Sequence, residues 1–248
     1  MSIDKPYYRI YRPGAGTDFI TDLRYCNEIN ELHRSFKLLE IDLKQIFQFI
    51  EPNDANLDTY SNRLFELLLR AATEFEGNAK EILETNGYTR KEYLKLHDYR
   101  KLNVATRLSE YEIIIDAWNP RPKSLFPFLN WRHIHNLVWY DDYNEVKHNR
   151  FSLFKKASLG NVINAIAGVY AILYAQIDFH TDIGLLKQGR STMFSLNTDN
   201  SSDSSMTPMF VDTIFTIKKP QTWSKRDHYH FDWNTLKQED KPFQQYKF

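Results

Sequence analysis

The sequence contains a single cysteine, Cys26, in 248 residues. One thiol cannot form an internal disulfide, so a disulfide-stapled secreted domain and a dithiol redox site are both excluded. The chain must be held by a hydrophobic core instead, and 42% hydrophobic residues at this length are enough to build one. We therefore predict a cytoplasmic protein.

An excess of charge of one sign is also missing. Lys and Arg together number 32, as do Asp and Glu, so the formal net charge is zero. No overall field would draw such a chain onto nucleic acid or an acidic membrane. A site for an anionic ligand would have to be local.

Long hydrophobic runs are absent as well. The most apolar segment, residues 165–175, is shorter than the roughly 20 residues that a bilayer-spanning helix needs. The first residues carry charges and a proline where a signal peptide would have an apolar run. We expect no membrane partner.

Apolar residues that recur every three or four positions are typical of amphipathic helices. One such stripe begins at Ile29 and is ended by Pro52, and a second covers residues 57–82 and ends before Gly87. The short link between them predicts an antiparallel helical hairpin.

Three further helices are expected. Thr89 and Glu92 have the spacing of a capping box, which would open a helix through about Asp98. A helix is predicted over residues 136–147, and another over 157–178. This last segment is apolar on nearly every face, which favours a central, buried position.

Two segments are rich in β-branched residues. Residues 111–116 are compatible with a strand or a helical turn, and residues 209–217 favour a strand. Between these segments, residues 118–131 combine three prolines with aromatic side chains, which predicts an irregular loop over the core.

These elements predict an all-α fold, an up-and-down bundle of four or five main helices with a C-terminal extension that contains a short strand. We expect an N-terminal arm over residues 1–23, the bundle over 24–190 and a flexible Ser-, Asn- and Asp-rich linker over 191–206. Residues 207–248 would form a C-terminal arm that packs on the body or on a second subunit.

The densest polar stretch is YDDYNEVKHNR, from Tyr140 to Arg150. On a helix, Asp141, Asn144, Glu145 and His148 share one face. An imidazole titrates near neutral pH, so His148 could take the proton of a ribose 2′-hydroxyl.

The neighbouring groups of this stretch suit a phosphodiester. Arg150 could clamp the phosphate, Lys147 would add a point charge, and Asn144 a hydrogen bond. Three carboxylates are candidates for orienting the imidazole or for structural roles. These are Asp141 and Glu145 on the same helix and Glu74 of the second helix, which would face His148 across a groove.

A second interpretation needs no chemistry. Charged stripes are the ordinary solvated face of helices, and Asp141 and Glu145 could pair with Lys147 and His148 within the helix. The chain would then be a noncatalytic helical protein-interaction module, in which the polar stripe is structural.

The helix LFELLLRAATEFEGNAKEIL, followed by Trp139, Tyr143 and the string NEVKHNR, resembles the helical HEPN-type proteins of bacteria over residues 57–178. The resemblance implies an all-helical, dimeric, metal-independent endoribonuclease or RNA-binding effector of a toxin or antiviral defence system. The family signature is an arginine followed, after a polar residue and four to six positions, by a histidine. Here His148 precedes Arg150.

Two further motifs favour a structural interpretation. Arg90 and His97 have the bare spacing of the family signature, but so many arginines and histidines produce such a match by chance. His228, His230 and Asp232 alternate as metal ligands would on a strand, yet histidines in an aromatic tail more often pack. We therefore expect no metal and no cofactor, and as partners a second copy of the chain, RNA and a cognate protein.

Overall fold

The computed structural model describes residues 3–90, 92–178 and 213–248. Its elements, in chain order, are α1 (Ile29–Phe47), α2 (Asn62–Thr85), α3 (Leu96–Tyr99), α4 (Leu102–Thr106), β1 (Glu112–Ile115), β2 (Lys123–Leu125), α5 (Val138–His148), α6 (Arg150–Leu153), α7 (Leu159–Ile177), β3 (Phe215–Lys218) and α8 (Trp233–Leu236). Short 3-10 turns connect several of these elements.

Helix α7 lies at the centre of the core. All but three of its residues are buried, and it packs against α1, α2 and α5. By length and composition alone α7 could cross a membrane, and it is longer than its most apolar stretch suggested, but 83% of the apolar window is buried inside the chain. Ser158 caps the helix by accepting a hydrogen bond from the Asn161 backbone. The central, buried position predicted for this segment is confirmed.

The predicted hairpin of α1 and α2 is confirmed. The Ser61 hydroxyl caps α2 by accepting a hydrogen bond from the Leu64 backbone at 3.2 Å. Gly87, just past the other end, has a φ of +82°, a conformation that favours glycine. An ion pair between Asp42 and Arg70 joins the two helices.

The fold is mixed rather than purely all-α, which corrects the predicted class. About 53% of the structure is helical, and three antiparallel strands form a small sheet in the order β2-β1-β3. Ile113 lies opposite Leu125 on one side and Ile217 on the other. The β-branched run in β1 buries alternate side chains, so strand pairing satisfies both its backbone and its apolar face.

The helix predicted from Thr89 does not form there. Residues 88–90 and 92–95 are not helical, and α3 spans only Leu96–Tyr99. The buried Asp98 carboxylate accepts hydrogen bonds from the Tyr88 hydroxyl at 2.7 Å and from the Lys95 backbone at 2.9 Å. These bonds fold the segment around Asp98 in place of the capping box.

The two terminal arms pack on each other and on the body of the same chain. Ile3 forms a bridge with Tyr229, and Tyr7 forms one with Gln244. The Tyr229 hydroxyl donates a hydrogen bond to the Ile10 carbonyl at 2.7 Å. The predicted linker, residues 191–206, and the predicted end of the bundle at residue 190 lie outside the described residues.

Gly168 of α7 offers a test of this packing. A Cβ atom at this position would lie 3.3 Å from ring carbons of Phe128 and of Trp139. We predict that Gly168→Val lowers the free energy of unfolding by about 1–3 kcal/mol, because the added methyl groups overpack the core. Urea denaturation followed by circular dichroism measures the change.

Gly77 of α2 is the matched control. A Cβ atom there meets nothing within 4 Å. Gly77→Ala should raise the free energy of unfolding by about 0.5–1 kcal/mol, since alanine loses less backbone entropy in a helix. Equal stability of the Gly168→Val variant and the wild type would contradict the central packing of α7.

Candidate functional site at the α5–α6 junction

Packing fixes the rotation of α5. Its buried side chains are Trp139, Tyr140, Tyr143 and Val146. The Trp139 indole donates a hydrogen bond to the Pro127 carbonyl at 3.0 Å, and the Tyr140 hydroxyl donates to Glu76 of α2 at 2.7 Å. Burial, followed by the contact with Glu76, raises the pKa of Tyr140. The other residues of α5 therefore face outward.

A polar network ties α5 to the start of α7. Lys156 donates to the Asp142 carboxylate at 2.7 Å and forms an ion pair with Glu145. Asn161 donates to the other oxygen of Asp142 at 2.8 Å. These contacts raise the pKa of Lys156 above its ordinary value. Glu145 is therefore paired with Lys156 of the 3-10 turn that follows α6, and this ion pair links α5 to that turn.

The other two polar residues of the predicted stripe are half-buried. Asp141 accepts a weak hydrogen bond from Asn136 at 3.4 Å. Asn144 interacts with the Tyr140 hydroxyl and lowers the raised pKa of that group slightly. Within the described residues, neither side chain forms a hydrogen bond with His148.

The helix is interrupted between the two proposed catalytic groups. Asn149 leaves helical geometry, with φ −136° and ψ 61°, so His148 ends α5 and Arg150 begins α6. The Arg150 guanidinium donates a hydrogen bond to Asn62 at the start of α2. It also lies 4.6 Å from the ring centre of Phe65. Arg150 is thus held in place but remains exposed.

His148 and Lys147 are exposed at the end of α5. Lys147 donates to the Tyr143 hydroxyl at 2.9 Å, and this hydrogen bond raises the pKa of Lys147. His148 makes no hydrogen bond or ion pair with any residue that the structure describes. Its imidazole is available to a ligand, and no direct contact joins it to Arg150.

The chain from the end of α5 to the start of α7 is rich in positive charge. Residues 147–156, KHNRFSLFKK, contain four cations and one histidine but no carboxylate. Lys156 is neutralised by α5, whereas Lys155 is exposed and has no ion pair among the described residues. The Phe151 side chain is fully exposed, at 102% of its reference area. Sequence reasoning missed Lys155 and Phe151, although the absence of carboxylates in this run was a usable signal.

Glu74 lies elsewhere. It lines a depression of about 320 Å³ between α1, α2 and the N-terminal arm, together with Arg9, Glu28 and Glu81. The contact with α5 that we expected of Glu74 is made by Glu76. The reason is helical geometry, since residues two positions apart on a helix face opposite sides.

Arg90 and His97, whose spacing alone was attributed to chance, are in contact in the structure. The Arg90 guanidinium lies 2.6 Å from the His97 ring nitrogen Nε2 and donates to the Asp98 carboxylate at 2.6 Å. The same His97 nitrogen is 3.4 Å from Asp98. An exposed imidazole, an exposed guanidinium and a buried carboxylate therefore lie together at Arg90 and the start of α3.

Comparisons of the chain with protein-family models, with curated proteins and with solved structures found no match. The resemblance to HEPN-type proteins therefore stays a prediction. Among the residues of the three described ranges, no group of three His, Cys, Asp or Glu side chains is placed to hold a metal ion.

The Asp98 carboxylate should make the stability of the fold depend on pH. Burial acts to raise the pKa of Asp98, but hydrogen bonds from Tyr88, Lys95 and Arg90 outweigh it and hold the pKa below its ordinary value of 3.8. A carboxylate with a lowered pKa stabilises the fold above that ordinary value, and the contribution disappears as the pH falls through the folded-state pKa.

We predict that Asp98→Asn lowers the free energy of unfolding by about 2–3 kcal/mol at pH 7, since hydrogen bonds to a charged group are lost. The difference from the wild type should shrink as the pH falls below 3.8. Urea denaturation at several pH values measures it. Asp240→Asn, at an exposed position, is the control, and a difference that does not vary with pH would show that the Asp98 charge is not responsible.

Proposed function

We propose that the protein binds RNA through the α5–α6 junction and acts as an effector of a bacterial defence or toxin system. The observation that carries the proposal is the exposed imidazole of His148, without a partner in the described chain, beside the cations Lys147 and Arg150. Lysine and arginine neutralise phosphates, and arginine can do so with two parallel hydrogen bonds. Because the net charge of the chain is zero, this cluster of cations is a local feature and does not reflect an overall positive charge.

Cleavage at this junction would need no metal. The His148 imidazole would accept the proton of a ribose 2′-hydroxyl while the 2′-oxygen attacks phosphorus and the bond to the 5′-oxygen breaks. The leaving 5′-oxygen takes up a proton from water, and the products carry a 2′,3′-cyclic phosphate and a 5′-hydroxyl. Arg150 would stabilise the charge that develops on the phosphate oxygens.

We propose positioning roles for the polar residues of α5 that lie beside the junction. Glu145 pairs with Lys156 outside α5, and Asn144 interacts with Tyr140 of the same helix, so we assign both to positioning rather than to catalysis. Arg150 uses one donor on Asn62, and an arginine has further donors to offer to a phosphate.

The Arg90–His97 pair is a second candidate location for the same chemistry. There the contact between imidazole and guanidinium is present at 2.6 Å, and Asp98 orients both groups. The order of arginine and histidine along the chain also fits the signature of the family that the sequence resembles. The two locations make different predictions for alanine variants.

We predict that purified protein cleaves RNA in the presence of EDTA and that His148→Ala reduces the rate by about 100-fold or more, because a general base contributes about 10²–10⁴-fold. His97→Ala tests the second location and should cleave at the wild-type rate if the α5–α6 junction is the site. His135→Ala, at an exposed histidine of neither location, is the control. Gel analysis of labelled RNA, with identification of the cyclic phosphate, measures both.

Each other outcome is informative. Loss of cleavage in His97→Ala but not in His148→Ala would move the site to the Arg90 loop. RNA binding without cleavage by the wild type would retain the binding function and remove the catalytic role of His148. If the wild type neither binds nor cleaves RNA, the noncatalytic interaction module is the better account of the fold.

The family resemblance also carries the proposal that the protein is a homodimer, with a cognate protein as a further partner. Light scattering coupled to size-exclusion chromatography should give twice the 29.6 kDa mass of the chain. A monomer over the whole concentration range tested would end this part of the proposal.

A further inference from the structure

Phe151 is fully exposed, whereas the next phenylalanine of the chain, Phe154, is partly buried. Phe154, three residues later, packs its ring 5.5 Å from that of Tyr60 and 6.2 Å from that of Phe65. The Phe151 side chain is at 102% of its reference exposure. Within the described residues its ring contacts no other aromatic ring and no cation, so packing of the fold does not explain the residue.

The charges around Phe151 indicate what kind of ligand would cover it. Arg150 precedes it, Lys147 is the last residue but one of α5, and Lys155 follows it by four positions, in the 3-10 turn after α6. No carboxylate occurs between residues 147 and 156. An aromatic ring among cations matches single-stranded nucleic acid, whose bases stack on the ring while its phosphates meet the cations.

An apolar protein surface fits this site less well. It would leave the charges of Lys147, Arg150 and Lys155 without a counter-charge when it covered the ring, which costs free energy. A nucleic-acid strand supplies both the flat apolar surface and the negative charge. Charge complementarity therefore favours single-stranded nucleic acid over an apolar protein surface as the ligand.

We infer that Phe151 is a stacking platform for an unpaired base, so that the ligand of the α5–α6 junction is single-stranded RNA. This inference rests on the proposed function and specifies its substrate class. In a duplex the bases are stacked on one another and cannot reach the ring, so double-stranded RNA would meet the cations only.

The test compares three probes in a fluorescence anisotropy titration at fixed salt concentration. They are a single-stranded oligoribonucleotide, a duplex of the same sequence, and an abasic oligonucleotide with the same number of phosphates. Phe151→Ala should weaken binding of the single strand by about five- to 150-fold, the range that base stacking on an aromatic side chain gives. Binding of the duplex and the abasic probe should change little.

Two variants serve as controls. Phe151→Trp should retain the affinity for the single strand, because it preserves a flat aromatic surface. Phe49 is a second strongly exposed phenylalanine, at 88%, in the link between α1 and α2. Phe49→Ala should leave the affinity unchanged, which separates a role of position 151 from a general effect of surface aromatics.

The possible failures are distinct. If the wild type binds none of the probes, the proposed function fails and this inference fails with it. If the wild type binds RNA but Phe151→Ala loses affinity equally for all three probes, or for none, only the stacking role is overturned. Conversion of a dimer into a monomer by Phe151→Ala, with RNA affinity unchanged, would overturn it in favour of a contact between copies.

Discussion

Burial of α7 on all sides is the constraint on which the rest of the structure depends. A helix that is apolar around its whole circumference is stable in water only when other elements cover every face. α1, α2 and α5 cover much of it. The buried residues of α5 are Trp139, Tyr140, Tyr143 and Val146, and Trp139 lies beside Gly168 of α7. Because α5 must turn this face inward, its opposite face and its C-terminal end are left in solvent. The exposure of His148 is thus a consequence of the core.

The position of the cations follows from the interruption at Asn149. If α5 continued as one regular helix, Arg150 would lie on the turn beyond Tyr143 and Val146. The break instead starts a new short helix, and its first residue reaches the N-terminal end of α2, where Asn62 and Phe65 hold the guanidinium. The predicted helix over residues 136–147 ends one residue before α5 does, but periodicity could not show that a short helix begins at Arg150 or that this residue contacts α2.

Long, strongly periodic elements could be predicted from the sequence, whereas features set by distant contacts could not. The hairpin of α1 and α2 and the buried α7 follow from apolar spacing alone. The helix predicted from Thr89 does not form because the Asp98 carboxylate accepts hydrogen bonds from three residues that precede it, Tyr88, Arg90 and Lys95. These bonds outweigh the local capping pattern. The sheet was underestimated because β1 obtains one of its two partners from residues 215–218, about a hundred positions away. Local propensity carries no information on such pairing.

The same distinction separates structural charge from charge that is available for a ligand. Glu145 and Lys156 both occur in or beside the polar stretch, and sequence spacing gives no reason to treat them differently from Lys147 and Lys155. The structure pairs Glu145 with Lys156 and leaves Lys155 without an ion pair in the described chain. A cation without an ion-pair partner attracts a phosphate with its full charge. In an ion pair, the opposite charge of the partner cancels much of this attraction. The pairing pattern, rather than the number of charges, therefore favours the α5–α6 junction over the rest of the polar stripe as the candidate binding surface.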